Sequence, residues 1–357
     1  MAAKSSNMAA TGLQKDLDQQ RRQVDVENFD LTLGELVRMA ENHELVIAPE
    51  YQRKFRWTPK DESYLIESLF LGLPVPSLYV ASNPDGTWEV VDGLQRISTL
   101  IHFVSESDAA FHSLGVAAPL RLQGLTKLAS FNGLTFAELP TPLRLHFTKR
   151  SLRVTALSDK SDPDIRFEVF ERLNKGGVTL TPQEVRACIF RGPFAELLRE
   201  LAANETFSKL VRLQQVHRND GTREELVLKF FAYFERPAQY DGKVTAFLNS
   251  YMKEVASDPN VATRREVFEK AITALYKAVK GPILRTGYHV TPLNQAEAIM
   301  VAAARLITSG KKIKEPVKGW LDDAELVKFS TKGTNTRTAF EARNRRAADL
   351  LSGAAVQ

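Results

Sequence analysis

The chain has 357 residues, 43% of them hydrophobic, a formal net charge of +5 and a single cysteine. That length is enough for two domains with buried cores, and one thiol excludes a disulfide framework and a cysteine-built zinc site. No run of about 18 apolar residues occurs, so no transmembrane helix is expected. Residues 1–12 lack the apolar stretch of a signal peptide, and a reducing cytoplasm is the expected setting.

Residues 1–26 are polar and read as a leader. Residues 31–40 carry the period of an amphipathic helix, with Asp30 as a candidate cap. The stretch Pro49-Glu50-Tyr51-Gln52-Arg53-Lys54-Phe55-Arg56-Trp57 mixes cations with aromatics. Thr58-Pro59 then opens a helix over 60–71 with an N-cap and a proline in its first turn. Tyr64, Leu65, Ser68 and Leu69 are expected on one face of it, and Gly72 ends it. A strand at 78–80, a Pro84-Asp85-Gly86 turn and a strand at 88–91 come next.

The second strand runs into Asp92-Gly93-Leu94-Gln95-Arg96-Ile97-Ser98-Thr99-Leu100. A strand that turns through Asp-Gly into a helix points backbone N–H groups at an anion. Gly93 allows a positive φ or a close ligand approach, Arg96 offers a planar fork for phosphate, and Asp92 can hold a metal, a water or a ribose hydroxyl. The same residues also suit a turn whose Asp caps the helix and whose Arg is solvated. Beyond it, the pattern predicts a helix over 97–104 and short strands near 120–122 and 152–156. Ser161-Asp162-Pro163 opens a helix that ends at Asn174-Lys175-Gly176-Gly177, where the glycines serve as a C-cap, as ligand contacts, or as both. Thr181-Pro182-Gln183-Glu184 has capping-box spacing and opens another. Cys188, in the apolar run 185–190, reads as a buried, inert thiol.

From residue 191 the period is helical: 194–202, 224–234, 244–255, 264–279 and 295–307 each place apolar residues at i, i+3, i+4 and i+7. Five to eight helices are expected. Between Lys311 and Arg346, ten Lys or Arg stand against five Asp or Glu. Lys332, Arg337, Arg343, Arg345 and Arg346 there suit phosphate-backbone contacts with DNA, or else a helix with arginines on its wet face. No histidine pair has zinc-ligand spacing, no nucleophile elbow occurs, and the phosphate loop Gly-x-x-x-x-Gly-Lys-Ser/Thr is missing.

Three of these stretches, in this order, resemble the DGQQR family, the N-terminal domain of GmrSD-type modification-dependent restriction enzymes and of related anti-phage proteins. The family's Gln-Arg-x-x-x-Trp matches Gln52, Arg53 and Trp57. Its Asp-Gly-Gln-Gln-Arg motif matches Asp92, Gly93, Gln95 and Arg96, followed by Ile97, Ser98, Thr99 and Leu100; Leu94 departs from it. Its Phe-Glu-Arg-Leu-Asn-x-Gly-Gly matches Phe170, Glu171, Arg172, Leu173, Asn174, Gly176 and Gly177. The resemblance implies an α+β fold: a ParB/sulfiredoxin-like domain over 27–190 that binds nucleotide phosphates, followed by an all-helical domain over 191–357. The reactive cysteine of sulfiredoxin has no counterpart in the turn, so its reductase chemistry is not expected. The resemblance further implies a nucleoside triphosphate, GTP or ATP, with Mg²⁺. Asp92, Gln95 and Arg96 would act in catalysis, and Gln52, Arg53, Trp57, Gly93, Thr99, Asn174 and Gly176 would bind the nucleotide. The paired histidines and asparagine of an HNH nuclease are not found after Gly192, which resembles stand-alone family members. The expected function is a nucleotide-binding, hydrolysing sensor or regulator in defence against foreign DNA, with a separate nuclease subunit as a candidate partner. A non-catalytic ParB-like nucleic-acid module and a DNA-nicking N-terminal domain are the alternatives.

Overall fold

The structure, a computed structural model, describes residues 25–47, 57–158, 161–173, 181–217 and 220–353, with Gln14 and Ala355. The chain forms two compact units, Met1–Thr179 and Leu180–Gln357. The first is α+β. The second is helical throughout its described length.

In the first unit five strands make one mixed sheet: β1 (Val26–Thr32), β2 (Leu45–Val46), β3 (Leu78–Ser82), β4 (Trp88–Asp92) and β5 (Ser151–Leu157), in the order β1-β5-β3-β4-β2. β1 runs antiparallel to β5, β5 parallel to β3, β3 antiparallel to β4, and β4 parallel to β2. Alternation builds β5: Leu152, Val154 and Ala156 are buried while Ser151 and Arg153 face outward. The helices α1 (Leu33–Glu41), α2 (Pro59–Leu71), α3 (Leu94–Val104) and α5 (Thr141–Thr148) share one core with the sheet, containing Leu36, Ile66, Val80, Leu100, Phe147 and Val154. The remaining helices of this unit are α4 (Asp108–Leu114) and α6 (Pro163–Leu173).

Four sequence expectations change here. Residues 31 and 32 are strand, so the first helix starts at Leu33. Thr32 caps it, accepting the Glu35 N–H at 3.2 Å, whereas Asp30 pairs with Arg153 across the sheet at 3.0 Å. On α2, Tyr64 is 68% exposed and the inward face is Glu62, Leu65, Ile66 and Leu69. The helix predicted over 97–104 begins three residues earlier, because Gly93 already supplies the turn. Residues 120–122 form no strand: Leu120 and Leu122 donate to His102 O and Leu134 O, which belong to a helix and a loop.

The second unit contains α7 (Pro182–Ile189), α8 (Pro193–Ala202), α9 (Glu205–Leu210), α10 (Thr222–Glu235), α11 (Val244–Val255), α12 (Val261–Val279), α13 (Leu293–Thr308), α14 (Ala324–Thr331) and α15 (Arg337–Leu351). Residues 295–304 of α13 are all buried, as befits a helix enclosed by α10, α12, α14 and α15. The Thr181 capping box forms as expected, and Cys188 is buried.

Charges run through this interior. Arg186 meets Glu225 at 3.0 Å, Lys229 bridges Glu225 at 3.1 Å and Glu297 at 2.9 Å, and Arg343 lies 3.9 Å from Glu297. Arg343 and Arg346 therefore neither face solvent nor stand ready for DNA phosphates. Arg343 is 1% exposed, and Arg346 is held by the fully buried Asp323 at 2.6 Å. Opposite charges on α13 and before α14 draw them inward, leaving Lys332, Arg337 and Arg345 exposed. Among the described residues no helix is long and apolar enough to cross a membrane.

Candidate functional site

The site is built at the end of β4, a central strand flanked by β3 and β2. Asp92 is the strand's last residue and Gly93, at φ +102°, is the N-cap of α3. No side chain caps this helix, so its first N–H groups have no side-chain partner at the N-cap. The turn is tight on its inner side. A methyl group at residue 93 would lie 2.3 Å from Leu78 Cδ2 and 3.0 Å from an Arg96 guanidinium nitrogen.

Arg96, one turn into α3, folds back to donate to Asp92 Oδ2 at 2.9 Å. The arginine side chain is 12% exposed against 37% for the aspartate, so the cation is the more enclosed partner. Arg96 Nε is buried and has no hydrogen-bond acceptor, and Ser98 Oγ and Thr99 Oγ1 in the next turn are likewise buried without a partner. Such orphaned polar groups are uncommon in a folded protein, and a ligand that supplies the missing partner is one of the things that explain them. Arg96 and Thr99 are three apart and so neighbours on α3, just beyond Asp92 at the end of β4.

Gln95 lies beside them, buried, and its Oε1 accepts the backbone N–H of Trp57 at 3.1 Å. Trp57 packs half-buried against the core just before α2, whose entry is fixed by the Thr58–Asp61 capping box. The end of the first motif is thus tied directly to the second. Gln52, Arg53, Asn174 and Gly176 lie outside the described residues.

Sequence reasoning gave no partner to the polar groups behind the site. Glu62 on α2 receives His102 Nδ1 of α3 at 2.7 Å, while His102 Nε2 lies 2.9 Å from Ala118 O. Both side chains are buried. Glu67, one turn and a half further along α2, accepts the N–H groups of Lys127 and Leu128, each at 2.8 Å. A carboxylate spaced with Leu65 and Leu69 on an apolar face was the readable signal at Glu62. These bonds clamp α2, α3 and the loop after α4 into one block, which holds the Gly93 turn.

For chemistry, the turn offers one enclosed guanidinium, one half-exposed carboxylate, helix N–H groups that no side chain caps and two buried hydroxyls. That set fits a multiply charged anion better than a neutral substrate. Among the described residues no group of three His, Cys, Asp or Glu could hold a metal ion unaided.

Residues 33–191 match the family described as GmrSD restriction endonuclease, N-terminal domain. No curated protein and no solved structure matches the chain. The matched span contains the sheet's inner strands, the Asp92–Arg96 turn, the Glu62–His102 pair and α7. Over these residues, and over these alone, the chain carries a restriction-related domain of the GmrSD N-terminal type.

Proposed function

We propose that the Asp92–Arg96 turn binds the phosphates of a nucleoside triphosphate, GTP or ATP, and that the protein acts as a nucleotide-dependent sensor or regulator in defence against foreign DNA. The observation that carries this reading is Arg96: a cation nearly enclosed beside a glycine turn, with a buried Nε that has no acceptor. A phosphate oxygen supplies that acceptor. It also replaces Asp92 as the counter-charge, which frees the carboxylate.

In this scheme Arg96, with Arg53 of the first motif, clamps phosphate oxygens and stabilises charge that develops on them. The Gly93 turn lets the helix amides approach without a Cβ in the way. Thr99 donates its hydroxyl to the ligand, and Asn174 and Gly176 complete the pocket. Gln52 positions the terminal phosphate or a water. Gln95 works differently from that expectation: its carbonyl oxygen is engaged by Trp57, so it positions the first motif against α3. Mg²⁺ binds through one or two carboxylates plus phosphate oxygens. Asp92, half-exposed, fits that kind of site and not an all-protein cage. When bound, the ion would neutralise phosphate charge; orienting a water falls to Asp92 and Gln52. DNA cleavage would fall to a separate nuclease partner.

Calorimetric titration with GTP and ATP tests the reading. Arg96→Ala should weaken the binding of one of them about ten- to a hundred-fold, roughly 1.5–3 kcal/mol for a charged, partly desolvated contact. Equal affinities for wild type and variant would remove Arg96 from the site. Absence of triphosphate binding by the wild type would dispose of the nucleotide reading altogether.

A further inference from the structure

The helical unit has a cleft of about 390 Å³ where α9, the segment following it and the first turn of α10 meet the end of α12. Lys209, Arg212 and Arg223 line it together with Ser208 and Tyr276, and no carboxylate does. Three cations from two stretches of chain around one concavity, with no internal counter-charge among the lining groups, is an arrangement that favours an anion.

The cations stand on fixed supports. The segment carrying Arg212 is extended and hydrogen-bonded on both sides: Ile283 N–H donates to Leu210 O at 2.9 Å, and Arg212 exchanges bonds with Thr291 at 2.9 and 2.8 Å. Arg223 donates to Ser208 Oγ at 3.0 Å and Val211 O at 3.3 Å, and its guanidinium lies over the Phe207 ring. Arg212 is exposed, and its side chain has no hydrogen bond or ion pair among the described residues. Lys209 pairs with Glu205 at 2.7 Å in an exposed i,i+4 contact outside the cleft lining, the weak kind that an incoming anion displaces.

We propose that this cleft is a second, separate phosphate site, for the phosphate of a nucleotide unit. Planar guanidinium forks match phosphate oxygens. Val211, Leu213 and the Tyr276 ring provide apolar wall for a sugar or base, and the volume is within the range of small-ligand sites. The unit is supplied either by a DNA strand or by a free nucleotide. The proposal does not depend on the Asp92–Arg96 reading.

The test uses the full chain with Arg212→Gln and with Lys209→Gln/Arg212→Gln. Anisotropy of a labelled DNA duplex and calorimetry with ATP are each measured over a range of salt, and repeated with Arg96→Ala added so that the two sites are scored apart. One arm should lose about tenfold in affinity in the single variant. If that arm is DNA, the double variant should flatten the logarithmic salt dependence by about two. Response of the duplex arm names a DNA strand as the source; response of the ATP arm names a free nucleotide. Affinity and salt dependence unchanged in both arms would overturn the proposal, as would no binding of either ligand by the wild type. The Arg212 side chain holds no other residue in place, so its replacement should leave the unfolding midpoint unchanged and the comparison clean.

Discussion

At the scale of single residues, Gly93 is the position with least latitude. Its φ of +102° is costly for any L side chain, and the nearest obstacle is Leu78, fully buried in the sheet's core. A buried leucine cannot swing aside as a surface side chain would. Gly93→Ala should therefore lose about 2–3 kcal/mol, combining left-handed strain with overpacking, seen as a lower urea midpoint. An unchanged midpoint would mean that the turn relaxes freely and that glycine there serves the ligand alone. His102 shows how little a single residue tells on its own. In the sequence it is one polar position on a helix, and only Glu62, 40 residues earlier, makes it a clamp.

At the scale of elements, α15 separates charges that look equivalent in the sequence. Arg343 and Arg346 are three apart and turn inward; Arg337 and Arg345 turn outward. Asp323 both caps α14, accepting the Leu326 N–H at 2.9 Å, and holds Arg346 through two hydrogen bonds. Arg346→Gln should cost about 3 kcal/mol, because it leaves a fully buried carboxylate without its cation. Arg345→Gln should leave the thermal midpoint where it is, and equal losses from the two changes would contradict the division. The features readable in advance are those of short range. The Thr58-Pro59 start of α2, the hairpin turn at 84–86 and the Thr181 capping box are made by residues within four of one another, and they stand where the sequence put them. β1 was hidden because its partner β5 lies 119 to 131 residues away, and Phe29 falls into a helical period with Leu33, Leu36 and Ala40. At the candidate site, the strand–Asp92-Gly93–helix turn that carries Arg96 was readable from local pattern. The bond from Trp57 to Gln95 was not legible, since it needs the entry angle of α2.

For the molecule as a whole, the interior charges of the helical unit link its stability to pH. Burial by itself would raise the Glu225 pKa, but Lys229 and Arg186 beside it outweigh that and hold it below the ordinary value of 4.5. A depressed carboxylate contributes stability above its ordinary pKa and loses it as pH falls through the folded value. Thermal midpoints should accordingly be flat near neutrality and fall on acidification below about pH 4.5, and Glu225→Gln, already weaker at neutral pH, should show a shallower fall. Parallel curves for wild type and variant would assign the acid sensitivity to other groups.

The same row of charges has a geometric consequence. Five of the sixteen residues of α13 are alanine, Ala296, Ala298, Ala302, Ala303 and Ala304, all buried alongside Ile299, Met300, Val301 and Leu306. Where the side chains are small, packing alone does little to resist a helix sliding along its neighbours. Glu297 denies it that freedom. A slip of one turn, about 5.4 Å along the axis, would pull its carboxylate from Lys229 and strand that carboxylate inside the unit, at a cost that no alanine contact recovers. The ion row thus works as a vernier, and with the bonds of Gln295 to Arg285 and Leu321 it gives the helix one position along its axis.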